Sequence, residues 1–323
     1  MILLTPSQSP DARGCQAAIA IFGVGTIGSA IAASLQEMAD LDIRIMPLDW
    51  RIPDVFAMNL DSIERLLMDL LAGAMTSIPP EAFHVIWSAG RAGFYSTDEE
   101  VARELAMYEE VLRCVERLSA RFPEVPCHMV LTSSAGGLFE GQQGVRRETL
   151  PVPTRPYGRL KLMQEQLLLN SQACLARKIY RLSSVYGYIR ADQRRGLIPT
   201  LIANGLRQRS SQITGHSSTI RDYVWIEDVA EYISRQVLAG SQDDCVMVLA
   251  SMKPSSIFEI QRIVEILIGR PLYLCFLPQA TNVMPITFDT SAVPSDWRPS
   301  ELPTNVRKIA VDALARQTAF LEA

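Results

Sequence analysis

The chain has 323 residues, 48% of them hydrophobic and 20% charged, with a formal net charge of −4. This describes a globular protein large enough for two lobes, and its slight negative charge gives no electrostatic reason to expect nucleic acid or an anionic membrane as partner. Six scattered cysteines and three histidines (84, 128 and 216) form neither a CxxC pair nor an HxxxH pattern, which argues against a disulfide framework or a metal site and suits a reducing cytosol.

Residues 1–16, opening "MILLTPSQSPDARG", have a short apolar start, no basic segment and no long apolar run. They read as a loose N-terminal extension rather than a signal peptide or membrane helix. Short apolar runs then alternate with helical patterns. Strands are expected at 17–22, 43–48, 84–87, 127–133, 178–183 and 245–250, and helices at 26–38, 59–74, 98–120 and 157–172. In the second helix Ile63, Leu66, Leu67, Leu70 and Ala74 follow helical spacing. The alternation is the sequence form of βαβ units around a parallel sheet. After residue 184 the rhythm loosens, with Pro278, Pro285, Pro294, Pro299 and Pro303 crowding the end. A second lobe is expected there, at the carboxyl ends of the strands, where open α/β sheets bind ligands.

In "IAIFGVGTIGSAI" the first strand runs into the first helix through Gly23, Gly25 and Gly28, with Thr26 and Ile27 between the last two. Glycines at this spacing allow a tight turn and let backbone approach a pyrophosphate seated on the helix N-terminus. Asp49 follows 21 residues after Gly28, close to where an acid grips the adenosine ribose, and a carboxylate there favours NAD over NADP. Arg51 offers a phosphate partner nearby, so NADP is not excluded.

The fourth strand ends in "LTSSAGGLFEG", and Tyr157 and Lys161 follow in "PYGRLK". Four residues apart on a helix, the two lie about 40° apart on one face. Leu160, Met163 and Leu167 form an apolar stripe beside that face, expected to pack inward. Oxidising an alcohol by hydride transfer requires a base for the hydroxyl proton, and the reverse step requires an acid. A free tyrosine is too weak a base near neutrality; an adjacent ammonium favours its phenolate. Lys161 also suits the nicotinamide ribose, and the Ser134 hydroxyl suits the substrate oxygen. Each part alone has an ordinary explanation as a turn serine or a solvated pair of side chains. Glycine turn, strand-end serines and helix pair nevertheless arrive in the order one active site needs.

With these motifs the chain resembles the extended short-chain dehydrogenase/reductase superfamily, and within it the NAD-dependent epimerase/dehydratase family that modifies nucleotide sugars. "VIWSAGRAGF" matches the segment beside the cofactor, which implies that Ala89 and Gly90 lie near the ribose. "RLSSVYG" resembles the family's R-x-x-N-V-Y-G stretch, with Ser184 at the asparagine, and "TIRDYVWIEDVA" places Arg221 where the family binds substrate pyrophosphate. An ion pair of Arg221 with Asp222, Glu227 or Asp228 is the alternative. The resemblance implies a Rossmann-type doubly wound α/β sheet over 17–183, with 221–250 returning to it. Residues 184–220 and 251–323 would form a smaller α/β substrate lobe, and two chains would form a homodimer through 98–120 and 157–172. Its departures are a different glycine spacing and "SSAGGLF" in the serine segment, where Ser134 is the first choice for the catalytic hydroxyl and Ser133 its rival. The serine segment itself carries no Thr-Asp-Glu run, which disfavours dehydration. The expected activity is epimerisation of a sugar nucleotide. Reduction of a keto-sugar or smaller ketone, and a non-catalytic dinucleotide-binding regulator, stand as alternatives.

Overall fold

The apolar run at residues 1–4 and the run at 17–22 lie side by side in a sheet. This is seen in the computed structural model, which describes residues 1–7, 16–75, 79–187, 196–277 and 285–319. In chain order the first elements are β1 (Ile2–Pro6), β2 (Ala17–Phe22), α1 (Thr26–Met38), β3 (Leu41–Ile45), α2 (Pro53–Leu71), β4 (Ala82–Trp87) and α3 (Asp98–Arg121). Next come β5 (Cys127–Ser134), a single helical turn α4 (Ala135–Leu138), α5 (Pro156–Asn170), β6 (Ala176–Leu182), β7 (Ser184–Tyr186) and α6 (Leu197–Leu206). They are followed by β8 (Ser211–Thr214), β9 (Ile220–Arg221), β10 (Tyr223–Trp225), α7 (Ile226–Leu238) and β11 (Cys245–Leu249). The chain continues with β12 (Ser255–Ser256), α8 (Ile257–Ile268), β13 (Leu274–Leu277) and α9 (Leu302–Ala319).

The chain divides into two compact units. Met1–Leu138, Pro153–Arg181 and Ala230–Val246 form the first; Phe139–Val152, Leu182–Val229 and Met247–Ala323 form the second. The large sheet has seven strands in the order β11-β6-β5-β4-β2-β1-β3, with β2, β4 and β5 parallel. Alternation along β2 sends Ala18, Ala20 and Phe22 into a core with Phe56, Leu60 and Ile63 of α2 and Val111, Val115 and Leu118 of α3. Ile19 and Ile21 point the other way and are fully buried. On α1, Ile31 and Leu35 are buried, and Ser234 of α7 donates to the Ile31 carbonyl at 3.4 Å. Helices on both faces of a largely parallel sheet make this the expected Rossmann-type doubly wound α/β fold. The second unit packs α6, α8 and α9 around its own core, which includes Leu201, Trp225, Ile260, Val264 and Val306. Among the described residues no helix is long and apolar enough to cross a membrane.

The N-terminal segment departs from expectation. Residues 2–6 are not a loose extension; β1 lies between β2 and β3 and runs antiparallel to both. Ile2, Leu3 and Leu4 are at most 2% exposed, because a strand covered on both faces needs a continuous apolar run rather than alternation. Pro6 stands at the end of the strand, where a missing N–H is tolerated. Residues 8–15 of the supposed extension lie outside the described residues, as do residues 188–195. The insertion pushes β3 to the sheet edge, where Ile43 and Ile45 are 45% and 62% exposed.

One polar cluster is buried within the first unit. His84 of β4 and His128 of β5 sit in register with ring centroids 4.8 Å apart, and Lys178 of β6 donates to the Gln236 carbonyl at 3.0 Å. Burial, followed by the charges of His128 and Lys178, pushes the His84 pKa down to about 3. Burial likewise lowers that of His128. The unfolded chain therefore binds more protons than the folded one below pH 6.5. His84 costs nothing above that pH and destabilises the fold progressively as pH falls toward 3. Its contribution between pH 7 and pH 5 is about 2 kcal/mol. Urea unfolding of His84→Leu at the two pH values is expected to show a pH 5 penalty smaller by that amount; equal penalties in variant and parent would refute it.

Candidate active site

The glycine turn opens a cleft of about 770 Å³ within the first unit. Gly23, Val24 and Gly25 line one side, Ser88 to Ala92 another, and Met46, Leu48, Trp50 and Arg51 a third. Two of the turn glycines are demanded by packing. A Cβ on Gly23 would lie 2.4 Å from the Ala89 nitrogen at a φ of +119°, and one on Gly28 would lie 1.9 Å from the Gly23 carbonyl oxygen. Gly25 differs. It precedes α1 at φ −80° and ψ −171°, a conformation any residue adopts, and its Cβ would meet nothing within 4 Å. No side chain caps the helix there. A missing side chain that the protein's own packing does not require, at an uncapped helix N-terminus facing a cleft, fits the seat of a dinucleotide pyrophosphate. Thr26 and Ile27 open the helix and are half-buried.

The loop after β4 carries Ala89 and Gly90 along the cleft. It is tied down by Glu104 of α3, whose Oε2 accepts from the Arg91 and Ala92 amides at 2.9 Å each. Sequence reasoning missed Glu104; an acid nearly two turns into a helix carries no signal that it will anchor a loop behind it. The same loop continues to Phe94, whose ring meets that of Tyr157 edge-on at 5.8 Å. It thus runs from the cleft to the predicted proton-transfer residue.

Ser134 ends β5, and its Oγ accepts from the Gly137 amide at 3.1 Å. A hydroxyl engaged as an acceptor keeps its own hydrogen free to donate. Gly137 lies against the Tyr157 ring, where a Cβ would come within 3.1 Å of Cδ1. At Gly158 a Cβ would lie 2.1 Å from the Gly137 carbonyl, so the two glycines let α4 and α5 touch and set Ser134 and Tyr157 around one residue. Lys161 is one turn along α5, with its Nζ 5.9 Å from the Tyr157 ring centroid. It donates to Gln164 Oε1 at 3.0 Å and is 5% exposed. The structure therefore brings together Ser134, Tyr157 and Lys161.

Three expectations are corrected. Ser133 alternates away from Ser134 and donates to Glu165 Oε1 at 2.6 Å; Glu165 is held in turn by Arg181 Nη2 at 2.7 Å. Its hydroxyl is thus committed to Glu165 inside the fold. Asp49 does not follow a strand beside β2, because β1 intervenes, and its two carboxylate oxygens bond Arg51 at 2.7 and 3.1 Å. The Arg51 hydrogen bonds hold the Asp49 pKa below the usual range, and Arg51 rather than Asp49 lines the cleft. On α5, Met163 is 45% exposed, while Lys161, Gln164 and Glu165 are buried. The packed side of that helix is therefore polar in the middle, stabilised by partners on β5 and β6.

Ser184 and Arg221 belong to the second unit. Ser184 pairs with Tyr223 in the parallel β7–β10 ladder. Arg221 pairs with Ser255 across β9–β12, and its Nη1 donates to the Ile220 carbonyl at 2.8 Å. Asp222 accepts from Ser183 and Ser251, Glu227 from Trp225, and Asp228 from Ser300.

Residues 19–247 match the family model described as "NAD dependent epimerase/dehydratase family". No curated protein matches the chain significantly in sequence. Among solved structures, UDP-glucose 4-epimerase from Thermotoga maritima, determined with UDP-glucose, aligns with a TM-score of 0.71 at 18% identity, covering 93% of this chain and 99% of that one. UDP-glucose 4-epimerase from Thermus thermophilus in complex with NAD gives 0.71 at 18%, covering 92% and 98%. ADP-L-glycero-D-manno-heptose-6-epimerase from Helicobacter pylori gives 0.71 at 15%, covering 95% and 99%.

Proposed function

Because the chain belongs to the NAD-dependent epimerase/dehydratase family, we propose that it is an enzyme that epimerises a sugar nucleotide with NAD as cofactor. The observation that carries the reading is the placement of Tyr157 and Ser134 around Gly137, with Lys161 one turn along α5. NAD, when bound, supplies the acceptor and donor of hydride. The turn from Gly23 to Gly28 holds its pyrophosphate, Ala89 and Gly90 flank the ribose, and the apolar wall of Met46 and Leu48 suits a base. Tyr157 takes the proton of the sugar hydroxyl and returns it. Lys161 favours the phenolate and holds the nicotinamide ribose, while Ser134 donates to the substrate oxygen. The solved epimerases of the same fold support the substrate class. The test is incubation with NAD and a panel of UDP- and ADP-sugars, with product stereochemistry read by NMR. An epimerase converts one sugar to its epimer with no net change in cofactor; a panel without any epimer refutes it.

Reduction of a keto-sugar is the second reading. It is favoured by Arg51, which lines the cleft where Asp49 does not and offers a partner to a 2′-phosphate. Stoichiometric consumption of NADPH by a keto-sugar nucleotide identifies that enzyme.

In this reading Arg221 binds the substrate pyrophosphate and Ser184 lies in the same substrate lobe. Arg221→Ala is expected to raise KM for the sugar nucleotide at least tenfold, about 1.4 kcal/mol, with kcat within threefold. An unchanged KM removes the pyrophosphate role. The enzyme is placed in the cytosol, in keeping with the buried free thiols of Cys114, Cys127 and Cys174. It is placed as a homodimer through α3 and α5, where Met163 and Leu169 stand exposed on α5.

A further inference from the structure

The one hydrogen-bond acceptor for the buried Lys161 ammonium among the described residues is a neutral amide. Gln164 is fully buried, and its Oε1 lies 3.0 Å from Lys161 Nζ. An ammonium only donates, so the amide oxygen must face it and the NH2 must turn away. That NH2 has no hydrogen-bond partner. A methionine or leucine here would bury a similar volume without an orphaned donor. What the amide supplies in exchange is its oxygen.

We infer that Gln164 is a positioning residue that keeps the Lys161 ammonium charged and in place, and so sets the pH at which Tyr157 gives up its proton. This rests on the reading of Tyr157 and Lys161 as the proton-transfer pair. A buried ammonium deprived of its acceptor either loses its proton or turns out to water, and either change weakens its field at Tyr157. Glu165 cannot substitute, because its carboxylate is engaged by Ser133 and Arg181. A carboxylate at 164 would hold the ammonium but cancel its charge; a carbonyl holds it and leaves the charge intact for Tyr157. The other charged groups around α5 are engaged elsewhere. Arg155 lies over the Phe94 ring, and Arg159 pairs with Asp98 of α3. Burial keeps the Tyr108 phenol of α3 protonated.

Tyrosinate absorbance at about 295 nm, taken as the difference between each protein and its Tyr157→Phe counterpart, reports the ionisation of residue 157 without substrate or cofactor. Gln164→Met and Gln164→Leu are each expected to raise its midpoint by about one pH unit. Lys161→Met is expected to raise it at least as far, and adding Gln164→Met to Lys161→Met to move it no further. The pH limb of kcat follows the same shift while KM stays within twofold. An unchanged or lowered midpoint in the Gln164 variants overturns the inference, as does an equal shift in the Lys161→Met background. If Gln164→Met does not fold, Gln164→Leu carries the same comparison. If no sugar nucleotide is turned over, the titration still decides the role of Gln164 while the proposed activity fails separately.

Discussion

Tyr157→Phe is expected to lower kcat by about a thousandfold, within the range that a positioned proton donor contributes, while NAD affinity changes no more than threefold. The variant isolates the hydroxyl. Phenylalanine keeps the ring that lies on Gly137 and meets Phe94 edge-on at 5.8 Å, so the contact of α4 with α5 and the course of the 88–96 loop survive. The thermal stability of the variant should therefore match the parent. Steady-state turnover at saturating sugar nucleotide, with calorimetric titration of NAD in parallel, separates lost chemistry from lost binding. A variant retaining more than a tenth of parental kcat would mean that another group moves the proton. A variant that loses both turnover and cofactor would point to collapse of the Phe94 loop. The regulator reading makes the opposite forecast, since a protein that only senses a dinucleotide has no use for the phenol.

The helix carrying that tyrosine shows where sequence and structure part. Tyr157 and Lys161 are legible because helical geometry alone puts residues four apart on one face. The packed side is not, because hydropathy puts Met163 inward with Leu160 and Leu167, whereas the fold leaves Met163 45% exposed and buries Gln164 and Glu165. Gln164 meets Lys161 within α5 itself, and Glu165 is met by Ser133 and Arg181, partners distant in the chain. Local pattern holds no record of such partners.

A related failure occurs at the chain start. The strand Ala17–Phe22 and the helix Thr26–Met38 stand where the sequence places them, because a buried strand, a glycine turn and a helical period adjoin there without competing signals. The run at residues 1–4 is too short for a period to be read and is followed by a proline and polar residues. Only pairing with both neighbours reveals it as a strand. The insertion also explains the fate of Asp49. Counting from Gly28 presumes that the next parallel strand lies beside β2, and β1 takes that place.

The glycine turn provides the second large effect, through two substitutions that abolish cofactor binding by different routes. Gly25→Asp is expected to raise the NAD dissociation constant at least a hundredfold, about 2.7 kcal/mol, and to leave the free protein as stable as the parent or more so. The Gly25 backbone suits any residue, and nothing lies within 4 Å of its absent Cβ. An aspartate there becomes a side-chain cap and places its charge favourably against the helix N-terminus, worth up to about 1 kcal/mol. In doing so it fills and repels the pyrophosphate seat. Gly28→Ala acts from inside. Its methyl would lie 1.9 Å from the Gly23 carbonyl oxygen and 2.4 Å from Ser88 Oγ. The turn must therefore move, at a cost of about 3 kcal/mol. Thermal melts without cofactor separate the two variants, since only Gly28→Ala should melt earlier. Calorimetry with NAD should show neither binding well. Full NAD affinity in Gly25→Asp would place the pyrophosphate somewhere other than the N-terminus of α1.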